Sequence, residues 1–118
     1  MLGDVGPVVL VGAGKMGMAM ADGWLDAGLS PDRLILVDPN PSSSVRHKAS
    51  TVGLTIYQSV PDKDAQVIVL AVKPQVADDV LASIKPAIGD DSGLISVMAG
   101  IAIAKMEKLS GCAKVIRA

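Results

Sequence analysis

The stretch Gly12-Ala13-Gly14-Lys15-Met16-Gly17 carries the clearest chemistry in this chain. It fits G-x-G-x-x-G, follows the apolar run Val8 to Val11, and opens a helical pattern. That context is what the motif needs before its glycines can be read as a phosphate turn. Gly12 lets the chain turn sharply out of a strand. Gly14, with no Cβ, lets a pyrophosphate come close to the backbone, and Gly17 lets the helix pack tightly on the strand. The free N–H groups of the helix's first turn then face the phosphates, and the helix dipole adds about 0.3–1 kcal/mol. A glycine-rich turn that holds no ligand is the competing reading.

Further candidates sit where other strands end. Asp38 lies about 20 residues beyond Gly17, where an acidic side chain accepts hydrogen bonds from the ribose hydroxyls of NAD. A carboxylate there repels the 2′-phosphate of NADP. Ser42, Ser43, Ser44, Arg46, His47 and Lys48 follow closely, and such hydroxyls and cations suit that phosphate. Asp38-Pro39-Asn40-Pro41 is equally good turn chemistry, and His47 reads first as a solvated helix residue. Two more segments, Ala71-Val72-Lys73-Pro74-Gln75 and Ser96-Val97-Met98-Ala99-Gly100, could line the slot for a nicotinamide. Ligands in open α/β sheets bind beyond the carboxyl ends of the strands. The small residues Ala71, Ala99 and Gly100 let a flat ring lie near the backbone. Lys73 reads as a contact to cofactor or substrate anions, or as a surface lysine. Met16, Met18 and Met20 read as core packing. Cys112 reads as a small packing residue, and no residue is assigned a catalytic role.

These turns need strands and helices to hold them. Short apolar runs at Val8–Val11, Leu34–Val37, Val67–Val72, Leu94–Val97 and Val115–Ile116 predict strands buried on both faces, with a weaker one at Leu54–Ile56. Met16, Met20, Gly23 and Ala27 recur helically, with Gly28 as a stop. Val76, Val80, Leu81 and Ile84 do the same between Pro74 and Pro86, and Ile103, Met106 and Leu109 before Gly111. A shorter helix is expected over Ser44–Ser50. The alternation predicts an α/β fold: a Rossmann-type doubly wound parallel sheet of about six strands, with helices on both faces. Its two halves join through a crossover at Tyr57–Gln66, close to the shortest a parallel connection allows. Residues 1–6 read as a lead-in and 7–118 as one NAD(P)-binding domain.

Composition removes several function classes. The chain has 118 residues, half of them hydrophobic, with 11 Lys plus Arg against 12 Asp plus Glu. A net charge of -1 gives no electrostatic footprint for DNA or anionic lipid. Trp24 and Tyr57 are the only aromatics, too few for a base-stacking platform. One Cys and one His make no ordinary zinc site and no intrachain disulfide, which fits a reducing cytoplasmic compartment. Asp4 precedes the first apolar run and the first basic residue is Lys15, the wrong order for a secretory signal. No stretch approaches the ~20 apolar residues that span a bilayer.

Gly-Ala-Gly-Lys-Met-Gly at 12–17, Val69-Leu70-Ala71-Val72-Lys73-Pro74-Gln75, and Ile95-Ser96-Val97-Met98-Ala99-Gly100-Ile101 resemble, in this order and spacing, the pyrroline-5-carboxylate reductase family. Lys114 to Ala118 looks like that family's sixth strand. The resemblance implies reduction of 1-pyrroline-5-carboxylate to proline with NADPH or NADH. It implies cofactor contacts at Val11 to Met16, Ala71 to Pro74 and Val97 to Ala99. It also implies a further helical domain beyond residue 118, which makes a dimer and most of the site for the imine substrate, so these residues alone are expected to be inactive. The chain departs from the family at Asp38, where NADP-using members carry a small polar residue. The choice between NADP and NAD therefore stays open. Two rivals share the glycine turn. One is a related reductase of the β-hydroxyacid or F420-type NADP class, against which Ala71 to Gln75 argues. The other is a nucleotide-sensing module with no enzymatic activity.

Overall fold

The computed structural model describes residues 7–12, 14–38, 41–60, 65–97, 103–111 and 114–117. Six strands form one parallel sheet: β1 (Val8–Val11), β2 (Leu34–Val37), β3 (Thr55–Tyr57), β4 (Ala65–Leu70), β5 (Ile88–Ser96) and β6 (Lys114–Arg117). Among the described residues four α-helices lie between them: α1 (Lys15–Asp26), α2 (Ser43–Val52), α3 (Ala77–Ser83) and α4 (Ile103–Ser110). The strand order β3-β2-β1-β4-β5-β6 is that of the doubly wound dinucleotide fold. The chain winds outward from β1 to β3, crosses back to the centre, and winds outward again from β4 to β6.

Every residue of β1 and of β2 is buried, because helices cover both faces of the sheet. Successive side chains point to opposite faces. Val8 and Leu10 pack with Ala21 of α1 and Ala49 of α2. Val9 and Val11 pack with Leu81 of α3 and Met106 of α4. The first two helices thus cover one face and the last two the other.

Caps fix where α1 and α2 sit. In α1 the Leu29 N–H reaches the Trp24 carbonyl (3.0 Å) and the Gly28 N–H reaches the Leu25 carbonyl (3.1 Å). This Schellman ending needs Gly28 at φ +107. Ser42 caps α2, its Oγ accepting from the Val45 N–H at 3.3 Å.

Several boundaries differ from the sequence expectation. β4 runs Ala65–Leu70 rather than Val67–Val72, because β1 ends at Val11, whose partner is Leu70. Ala71 and Val72 therefore lie in the turn. At its other end the exposed Gln66 enters the strand by donating its N–H to the Pro7 carbonyl (2.8 Å). β3 is shifted to Thr55–Tyr57, since Leu54 still closes α2 through its N–H on the Ala49 carbonyl (2.8 Å). β5 starts at Ile88, six residues earlier than its apolar run. The polar start pairs through a register shift between Ala65 and Val67. Buried Ser92 sits there, its Oγ donating to the Ala65 carbonyl and accepting from the Gly89 N–H at 2.7 Å. β6 is longer than expected by one residue at each end. Pro74 opens a 3-10 turn rather than the α-helix, which begins at Ala77, so Val76 is exposed.

The buried face of α1 also differs. Gly17 and Ala21 are buried, whereas Gly23 and Ala27 are exposed and Met16 is 60% exposed. Gly17 must face the end of β1, and that turns the helix about one residue (roughly 100°) from the expected stripe. Met18 and Met20 pack half-buried against the core as expected, but Met16 does not. The lead-in at 1–6 and Cys112 lie outside the described residues, as does part of the Tyr57–Gln66 crossover.

Candidate functional site

Four strand ends converge on one edge of the sheet. β1 ends at Val11 and Gly12, and β4 ends beside it at Leu70 and Ala71. The Ala71 N–H donates to the Val11 carbonyl at 2.8 Å, and the Gly12 N–H to the Val37 carbonyl of β2 at 2.9 Å. On the far side the Val97 N–H donates to the Leu70 carbonyl at 3.1 Å. Between β1 and β4 the winding changes direction. The crevice at such a switch point is where open α/β sheets bind ligands.

The three glycines of the turn are held there for different reasons. Gly12 has φ +100, and a Cβ on it would lie 2.5 Å from the Ala71 carbonyl oxygen. Conformation and close approach both exclude a side chain. On Gly17 a Cβ would lie 2.1 Å from the Gly12 carbonyl oxygen, so α1 approaches the turn as closely as backbone permits. Gly14 is unlike either. It has φ -77 and ψ -167, open to any residue, and a Cβ there would meet nothing within 4 Å. Folding asks for no glycine at 14.

Gly14 is also the N-cap of α1, and no described side chain caps that end. The first N–H groups of a helix have no partner within it, and they carry the positive end of its dipole. Lys15 and Met16 are exposed beside them. This combination of open space, bare amides and a cation suits a diphosphate. Among the described residues no group of three His, Cys, Asp or Glu is placed to hold a metal.

A cavity of about 510 Å³ opens from the glycine turn. Gly14, Lys15, Met18 and Asp22 form one wall and Ser42, Ser44, Val45 and Lys48 the other. Its volume lies within the usual range for small-molecule sites, roughly 300–1,000 Å³. Ser42 Oγ and Ser44 Oγ are 3.1 Å apart, which fixes the start of α2. Lys48 Nζ reaches across to Asp22 Oδ1 at 3.1 Å.

The residues singled out in the sequence fall into three groups. Val11, Gly12, Gly14, Lys15, Met16 and Gly17 form the turn, and Ala71, Val72, Lys73 and Val97 follow the ends of β4 and β5 beside it. Lys73 is exposed, and its carbonyl accepts from the Val76 N–H at 3.1 Å. Asp38 follows β2, half-buried, its N–H on the Tyr57 carbonyl at 2.9 Å. Ala13, Met98, Ala99 and Gly100 lie outside the described residues, as does the Pro74 side chain. Of the polar stretch after Asp38, Ser42, Ser44 and Lys48 line the cavity. Arg46 turns its Nε to the Pro41 carbonyl (3.3 Å), and His47 is exposed on α2. Sequence reasoning missed Asp22. Its position four residues after Met18 on α1 signals a shared face, but only the packing of α1 beside α2 brings it to Lys48.

Residues 7–100 match the family model described as "NADP oxidoreductase coenzyme F420-dependent". The chain is similar to pyrroline-5-carboxylate reductase of Pisum sativum, with 34% identity covering 98% of this chain and 43% of that protein. It is also similar to the crystal structure of a Plasmodium falciparum pyrroline carboxylate reductase with NADP bound. That match has a TM-score of 0.75 and 27% identity, covering 97% of this chain and 41% of that one. A Coxiella burnetii pyrroline-5-carboxylate reductase shares the fold, with a TM-score of 0.81 at 22% identity over 97% of this chain and 43% of that one. The chain thus spans less than half the length of these relatives.

Proposed function

The chain belongs to the family described as "NADP oxidoreductase coenzyme F420-dependent", and within that family we propose that it is the cofactor-binding domain of a pyrroline-5-carboxylate reductase. The whole protein would reduce 1-pyrroline-5-carboxylate to proline in the cytoplasm. The observation that carries the reading is Gly14, a glycine that neither its backbone angles nor its neighbours require. The similarity to the pea and Plasmodium proteins supports the same reading and favours it over other reductases with a glycine turn.

When bound, NADH or NADPH would supply the hydride that reduces the imine carbon of the substrate. The residues of this chain bind and orient. Gly14 and the first turn of α1 (Lys15, Met16 and Gly17) would hold the diphosphate with backbone amides, while Gly12, whose own N–H is taken by the Val37 carbonyl, turns the chain toward it. Asp38 accepts from the adenosine ribose. Val11, Ala71, Val72 and Lys73 on one side and Val97 on the other would border the nicotinamide slot. Positioning of this kind supplies most of what hydride transfer needs from a protein. The groups that orient the substrate's carboxylate and ring nitrogen would come from sequence beyond residue 118 and from a second copy of the protein.

Calorimetry with NADH and NADPH tests this directly. The chain is expected to bind dinucleotide without turning over 1-pyrroline-5-carboxylate. Gly14→Val is expected to abolish binding while circular dichroism and the thermal midpoint stay close to those of the parent. Unchanged affinity in that variant would move the phosphates elsewhere. Robust turnover by these 118 residues would refute the need for further sequence.

A further inference from the structure

The rotation of α1 that brings Gly17 against Gly12 leaves the Met16 side chain 60% exposed on the glycine turn. The other described methionines are better sheltered. Met18 and Met20 are half-buried against the core, and Met106 is fully buried. We propose that Met16 is a redox-sensitive switch: its oxidation to the sulfoxide by a peroxide caps the free amides of α1 from within and so weakens dinucleotide binding. This rests on the proposed function, since it takes the diphosphate to lie at those amides.

The chemistry needs only hydrogen peroxide. The thioether sulfur attacks one peroxide oxygen, an S–O bond forms and the O–O bond breaks. The transferred oxygen gives its proton to the departing hydroxide, which leaves as water. Sulfur loses two electrons and the peroxide gains them. The product is a polar side chain that methionine sulfoxide reductases return to the thioether. Position decides its effect. Gly14 is the N-cap of α1, and no described side chain caps that end. The Met18 N–H, on the Gly14 carbonyl at 2.9 Å, is the first bonded within the helix, so the amides ahead of it have no helical partner. Met16 is the second residue of α1. Its sulfoxide oxygen stands as many bonds from Cα as the side-chain oxygen of a glutamine, which reaches back to free amides from the first turn of a helix. The thioether sulfur is a weak acceptor and leaves those amides to a phosphate. The unbranched, exposed side chain is free to make that turn.

The test treats the chain with hydrogen peroxide, assigns the added oxygen by fragmentation of the peptide that follows Lys15, and measures NADH and NADPH binding by calorimetry. Met16 is expected to oxidise ahead of Met18 and Met20. The oxidised chain is expected to bind both dinucleotides about three- to tenfold more weakly, the worth of one hydrogen bond given up. A methionine sulfoxide reductase is expected to restore the affinity. The thermal midpoint is expected to hold or rise, because a new cap stabilises α1; a fall would mean damage to the core and overturn the switch. Met16→Leu, compared with itself before and after peroxide, is expected to change by less than about twofold, below the worth of such a bond. Met16→Gln, which carries the capping oxygen permanently, is expected to bind more weakly than Met16→Leu with no peroxide present, and equal affinity would remove the capping step. Oxidation of Met18 or Met20 first, affinity that survives oxidation of Met16, or the same loss in Met16→Leu overturns the switch and leaves the proposed function standing. Failure of the untreated chain to bind any dinucleotide removes both.

Discussion

Gly17 and Gly12 meet back to back, and that contact sets how near α1 can come to the sheet. A methyl group on Gly17 would lie 2.1 Å from a backbone oxygen, not from a side chain that can swing away. Gly17→Ala is therefore expected to destabilise the chain by about 2 kcal/mol or more through overpacking, measured by urea unfolding. A change below about 0.5 kcal/mol would mean that the helix shifts freely. Asp38 makes a different kind of prediction. Replacing its carboxylate with a hydroxyl, Asp38→Ser, is expected to raise the NADPH to NADH affinity ratio by about tenfold, equal to about 1.4 kcal/mol. No shift in that ratio would take Asp38 out of the ribose contact. Gly12 and Gly17 were legible in the sequence because a steric rule dictates them. Asp22 was not, because an exposed acid on a helix carries no mark of what lies opposite.

At the scale of elements, α2 depends on its first residues. Ser42 Oγ accepts from the Val45 N–H, and its contact with Ser44 ties the loop to the helix. Loss of such a cap costs about 1 kcal/mol. Ser42→Ala is expected to lower stability by about that amount, read from denaturant midpoints, and an unaffected midpoint would mean that water replaces the cap. β1 and β2 were read from sequence to the residue, since both are uninterrupted apolar runs buried on both faces. β5 was not. Its polar opening, Gly89-Asp90-Asp91-Ser92-Gly93, lacks any apolar alternation. It becomes a strand only by pairing with β4 across a register shift that Ser92 helps to hold. The stripe on α1 was misplaced for a related reason. Methionine spacing suggested one face, and the approach of Gly17 to Gly12 imposed its neighbour.

For the whole molecule, the doubly wound order followed from the alternation of apolar runs and helical patterns alone. Handedness and short connections leave few other ways to lay such a chain out. The sequence did not disclose how the two halves share their cores. Val9, Val11, Ile35 and Val37 belong to the first half, yet they pack with Leu81, Ile84 and Met106 from the second. Neither half encloses its own interior. If the backbone is severed between Val60 and Ala65, each fragment should remain unstructured in isolation. Mixed together, the two should recombine through the β1 and β4 seam into a nicked but native-like particle, with cooperative melting as the readout. Two fragments that fold separately would show that each half can close a core without its twin.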